Sequence, residues 1–238
     1  MEDDPRLSPS ERRDRAVLLA ALLACGAFPV AMLLLRIRTS DQLTYSFLMW
    51  NLFLAGLPVL LALAVETAWR HGRRVVGAVA WCGWLLVFPN SPYLVTDLIH
   101  LRERPPTPIW FDALILVSAA VAGLLAGFVS LHLVQGVVAG RFGEVWGWVM
   151  ALGVLGITGF GVYLGRFVRL NSWDVLTRPR GLLYDVGASV SPFDNPRAVA
   201  VTVLFSSFLI VSYVTIEMLA RLTPPVPPHQ RFVVRTER

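Results

Sequence analysis

The chain has 238 residues, 55% of them hydrophobic and 16% charged, with a net charge of +5 carried by arginine and no lysine at all. Water-soluble domains carry about 25% charged residues, so this balance suits lipid as the solvent. The missing lysine excludes Schiff-base chemistry and Walker-type phosphate loops, and no basic stripe with interleaved aromatics invites nucleic acid.

A membrane span needs about 20 mostly apolar residues, and several runs reach that length. The expected fold is therefore all-α, a polytopic transmembrane helix bundle of about six spans with membrane lipid as its surroundings. Residues 1–15, with Arg12, Arg13 and Arg15 beside the first apolar run, read as a charged cytoplasmic tail. The first span covers 16–35 and is closed by Arg36 and Arg38. Leu22 to Cys25 resembles a lipoprotein processing box, but the apolar run continues to Leu35 and more spans follow. The segment is therefore read as an uncleaved helix.

The second span, 43–65, contains Asn51, suited to bridging helices, and Pro58, which kinks a membrane helix without forbidding it. A basic turn, WRHGRR, leads into a short third span from Val75 to the break at Pro89, Asn90, Ser91 and Pro92. The fourth span is 109–134, with Trp110 and Phe111 at its interface. The fifth, 145–168, has Gly153, Gly156, Gly159, Gly161 and Gly165 at spacings that allow close helix packing. A long polar connection, 169–197, precedes the sixth span, 198–219, and a proline-rich, basic tail over 221–238 reads as disordered. Cys25 and Cys82 fall in apolar runs and read as small buried hydrophobes.

Six spans place both termini on one side. Putting that side in the cytoplasm collects about twelve of the arginines there, as the positive-inside rule favours. The polar loops 89–108 and 169–197 then share the extracytoplasmic face of the inner membrane. One transmembrane domain, 16–220, holds both.

Two clusters stand out against the apolar background. In FPNSPYLVTDLIHLRERPP (88–106), Asp97 and His100 lie three residues apart and share a face if the segment is helical. A carboxylate beside an imidazole suits acid–base work or metal ligation, and equally a hydrogen-bonded anchor for a loop. Two ligands do not make a metal site; Asp112 and Asp174 are the carboxylates that could complete the cluster. In YLGRFVRLNSWD (163–174), Arg166 and Arg169 sit one helical turn apart at a membrane helix end. Charge at such depth must pair, snorkel or serve a site. The two guanidinium groups suit a phosphate or carboxylate, or alternatively Asp97, Asp112 or Asp174 as structural partners. Asn90, Tyr93 and Asn171 add polar groups to the same face, and Asn171 to Asp174 also reads as a helix start.

Other polar residues have simpler readings. Glu66 with Arg70 and Glu217 with Arg221 are spaced for helical ion pairs, and His132 suits an interface. Neither a GxSxG elbow nor an HExxH motif is present, and nothing specifies a cofactor or a protein partner.

The blocks FPNSPYLVTDLIHL, Pro108-x-Trp-Phe-Asp112 and GVYLGRFVRLNSWD together resemble the signature of domain-of-unknown-function family 1361, polytopic bacterial membrane proteins. The resemblance runs from about Leu48 to Leu219. It implies a membrane bundle and draws attention to these residues, and it assigns no substrate. Two functions fit: a protein acting on a lipid or lipid-linked anion, with His100 and Asp97 as catalytic candidates, or a non-catalytic transporter or assembly partner in which the cluster binds an ion or locks the helices.

Overall fold

In the computed structural model, which describes residues 8–168, 177, 181 and 196–222, helix α1 spans Pro9–Ser40. It starts inside the segment read as a tail, because Ser8 and Glu11 close a capping box. The Ser8 hydroxyl accepts the Glu11 N–H at 3.2 Å, and the Glu11 carboxylate accepts the Ser8 N–H at 2.8 Å. Pro9 occupies the first helical position, where a missing N–H costs nothing. Arg169, Asn171, Asp174, most of the 169–197 connection and the chain beyond Leu222 lie outside the described residues.

Helix α2 (Phe47–Arg70) follows a tight loop in which Asp41 and Tyr45 adopt positive φ, 51° and 63°. Helix α3 is short (Arg74–Val87), yet the third span does not end at the prolines. Pro89 has no N–H to lose at the start of a new turn, α4 (Asn90–Tyr93), and the chain continues as a 3₁₀ segment, Leu94–His100. Helices α5 (Ile109–Phe142) and α6 (Glu144–Tyr163) are separated by Gly143 alone, at φ 99°. A π-helical turn, Leu164–Val168, extends α6, and α7 is Pro196–Leu222. Taking α3 through His100 as one span, six stretches are long and apolar enough to cross a membrane.

Helix α5 is the axis of the bundle: α1, α2, α4, the 3₁₀ segment and α6 all pack on it, while α7 packs on α6. One core gathers Trp84, Phe88, Phe128, Leu131, Leu155 and Tyr213. A second, built from Leu33, Tyr45, Leu48, Leu94 and Ile115, lies under the 3₁₀ segment.

The polar segment is held in place by its neighbours' lack of side chains. A Cβ on Gly123 would stand 2.4 Å from the Ser91 carbonyl, so α4 lies directly on the α5 backbone. From the other side, the Ser91 hydroxyl donates to the Ala55 carbonyl of α2 at 2.7 Å. The segment is thereby clamped between α2 and α5.

The glycines expected to pack helix α6 divide. Gly159 meets α7, where a Cβ would lie 2.1 Å from the Ser206 hydroxyl, and Gly161 meets Pro89, whereas Gly153 and Gly156 face open space. Cys82 is exposed rather than buried, since an apolar side chain on a lipid-facing surface has no need of protein cover.

Candidate functional site

Helix α1 ends, α2 begins, the 3₁₀ segment closes and α6 terminates at the same end of the bundle. The 3₁₀ geometry places residues three apart in register, which puts Asp97 and His100 on one edge. The last turn of α6 brings Arg166 to that edge.

Asp97 is the hub. Its side chain is 1% exposed. One carboxylate oxygen accepts from Asn51 of α2 at 2.9 Å and the other from Arg166 Nη2 at 3.0 Å. Asn51 thus bridges helices as its place in an apolar span suggested. Arg166 also donates to the Thr96 carbonyl and, through Nη1, to the Tyr93 hydroxyl at 3.2 Å. Its guanidinium carbon stands 5.2 Å from the centre of the Tyr93 ring. Three of its five N–H groups are thereby used, and among the rest the Nε–H is buried and meets no acceptor among the described residues.

His100 lies close enough to feel the charges of Arg166 and Asp97, but the Asp97 carboxylate is bonded to Asn51 and Arg166 instead of the imidazole. The ring instead meets Phe47 edge-on, centroids 5.1 Å apart. Asn90 stands at the join of α3 and α4, donating to the Val87 carbonyl at 3.0 Å. The arrangement therefore joins Tyr93, Asp97 and Arg166 directly and places His100 beside them.

Asp112 does not complete this cluster. It is held by Arg36, which donates through Nε at 2.6 Å and Nη2 at 3.1 Å, with both side chains fully buried. Arg36, expected to close the first span at the surface, lies instead inside the bundle, because α1 runs on to Ser40 and keeps that turn against α5. The forked geometry is what a desolvated guanidinium–carboxylate pair requires. Tyr45 covers it, its ring 5.4 Å from Arg36 and 5.2 Å from Arg104, and its hydroxyl donates to the His100 carbonyl at 3.2 Å. Burial, and then the nearby Asp112 charge, push the Tyr45 phenol above its ordinary range. The two ion pairs are separate, and Tyr45 links them through the 3₁₀ segment. Sequence reasoning missed Arg36 and Tyr45. The available signal was Asp112 itself, a carboxylate opening an apolar helix with no cation of its own nearby.

The opposite end carries simpler pairs. Glu66 accepts from Arg15 and from Arg70, Glu217 pairs with His132 at 3.0 Å and with Arg221 at 3.6 Å, and Arg221 reaches Glu144 at 2.7 Å. Among the described residues no three His, Cys, Asp or Glu side chains gather as metal ligands.

A family model described as a protein of unknown function, DUF1361, matches residues 50–212, a stretch that takes in Asn51, Tyr93, Asp97, His100, Asp112 and Arg166. No curated protein and no solved structure matches the chain.

Proposed function

The chain belongs to DUF1361, a family of unknown function, and on that footing we propose that this membrane protein binds the anionic group of a lipid or lipid-linked molecule at its Asp97–Arg166 end. The observation that supports it is the buried Nε–H of Arg166, which has no partner among the described residues. A guanidinium oriented by Asp97, Thr96 and Tyr93 has lost its freedom in advance, so an anionic oxygen placed at Nε gains a charge-assisted bond at little further entropic cost. Arg102 and Arg104 follow on the same segment and, with Glu103 between them, leave a net positive charge of about one towards the surface. In this reading the site faces the extracytoplasmic side of a bacterial inner membrane and both termini are cytoplasmic. The support is the basic cluster Arg12, Arg13, Arg15, Arg70, Arg73 and Arg74 at the opposite end. Arg169, Asn171 and Asp174 would extend the same site.

The proposal is binding, not chemistry. Asp97 is committed to Arg166 and Asn51, which leaves His100 without the carboxylate that would orient it as a general base. A second reading has its own support. The Asp97 network ties α2, the 3₁₀ segment and α6 together, which is what a helix lock would do.

The experiment compares lipids co-extracted with purified wild type and with R166Q, alongside the melting temperature of each. Loss of an anionic species from R166Q with the melting temperature retained is the expected result. Identical lipid content in the two proteins would refute binding, and a collapsed melting temperature without any wild-type lipid to lose would establish the lock.

A further inference from the structure

The opposite end of the bundle holds a second cluster that the reading above does not use. The buried residues of α1, Pro29, Leu33 and Arg36, all lie in its second half, so its first half stands clear of the core. Between that half and the ends of α2 and α5 lies a groove of about 610 Å³. Its rim is charged, with Arg15 from α1, Glu66 and Arg70 from α2, and Arg141 from α5. Its floor is bare: Gly136 and Gly140 are exposed, one turn apart, and no atom lies within 4 Å of where either would carry a Cβ. Glycines at this spacing in membrane helices ordinarily allow a neighbouring helix to approach. Here they meet no helix among the described residues, and the face remains a trench flanked by Leu133 and Val137.

Charge decides what the trench suits. Arg15 and Arg70 both donate to the same Glu66 oxygen, Arg70 through Nε at 3.2 Å and Nη2 at 3.0 Å. One carboxylate thus orients two guanidinium groups and neutralises one of them. Arg141 has no carboxylate partner among the described residues; it stands over the Phe142 ring at 6.0 Å. His132 at the groove edge is engaged by Glu217. The rim therefore carries two positive charges in excess. An apolar helix seated here would cover these arginines without pairing them, and taking unpaired charge out of water is costly. A phosphodiester headgroup pairs them, and its acyl chain fits the glycine floor.

We infer that this groove binds an anionic phospholipid, with Arg15, Arg70 and Arg141 around the phosphate and an acyl chain lying on Gly136 and Gly140. The site is distinct from the Arg166 end and does not depend on it. The test is native mass spectrometry of the full chain released from detergent micelles containing phosphatidylglycerol and phosphatidylcholine with the same acyl chains. Wild type should retain phosphatidylglycerol about tenfold in preference, the scale expected of a few arginines near an anionic headgroup. R166Q, which removes the anion site proposed at the other end, should still show a preference from this groove, and adding R70Q/R141Q to R166Q should bring the two lipids to parity. G136L/G140L fills the trench without altering charge and adds side chains only into open space, so made in R166Q it should lose the bound lipid while melting as R166Q does. That variant decides the matter if R70Q/R141Q does not fold. Equal retention of both lipids by R166Q, a preference that survives in R166Q/R70Q/R141Q, or unchanged binding by G136L/G140L made in R166Q would each overturn the inference. A changed oligomeric state in G136L/G140L, with no lipid lost, would show a helix-docking face instead.

Discussion

The pair Arg36–Asp112 offers the sharpest energetic expectation. Both side chains are fully buried and joined by two parallel bonds of 2.6 and 3.1 Å. Replacing Arg36 with Met removes both donors and strands a carboxylate inside the bundle; replacing Asp112 with Leu strands a guanidinium. Breaking a buried pair from one side costs about 3–5 kcal/mol, because the surviving charge keeps its desolvation penalty and loses its compensation. Removing both charges abolishes that penalty. What remains lost in R36M/D112L is mainly the Arg36–Tyr45 ring contact, about 0.5–2 kcal/mol. The double variant should therefore be more stable than either single one, within about 2 kcal/mol of wild type. Denaturation by SDS titration in mixed micelles, followed by circular dichroism, measures all four proteins on one scale. Single variants within about 1 kcal/mol of wild type, or a double variant that shows the sum of the two losses, would refute the claim that the pair is desolvated.

Two further expectations follow from local geometry. G159A should loosen the contact of α6 with α7 by about 1–3 kcal/mol, since its Cβ would press on the Ser206 hydroxyl at 2.1 Å and the Thr202 carbonyl at 2.6 Å; G153A, in open space, should be neutral in the same denaturation assay. Tyr45 binds its proton more tightly folded than unfolded, so its contribution is complete below the ordinary phenol value of about 10 and is lost as pH rises through the higher folded value. Wild type should lose more melting temperature than Y45F between pH 9 and 11, values about a unit to either side of that phenol range; equal losses would contradict it.

Much of the architecture was readable because lipid imposes a simple rule: long apolar runs must be helices. Helices begin near the expected residues where a charge or glycine marks the boundary, as at Arg74 and Glu144, whereas α5 runs past its expected end at Val134 to Phe142. They depart where a local device overrides hydropathy. The Ser8–Glu11 capping box starts α1 at Pro9 within a charged segment. The prolines at 89 and 92 change the kind of helix without ending the span, because each sits where its missing N–H is tolerated. That Asp97 and Arg166 could pair, and that Asn51 could bridge helices, was readable in advance, since polar side chains in hydrocarbon are few and must find one another. Which charge takes which could not. Asp112 had several arginines within reach of a sequence argument, and only the register of α1 against α5 gives it to Arg36.

The polar segment after α3 lies against the last turns of α6, and that juxtaposition alone brings Arg166 to Asp97. Pro89 and Gly161 measure it, because a Cβ on Gly161 would stand 3.4 Å from the Pro89 Cβ. Disulfide-bonded cysteines hold their Cβ atoms about 3.5–4.5 Å apart, so P89C/G161C, in a chain with Cys25 and Cys82 replaced by Ala, should cross-link under mild oxidation in intact membranes. Thiols that stay free, or that an impermeant reagent labels from opposite sides of the membrane, would contradict the account.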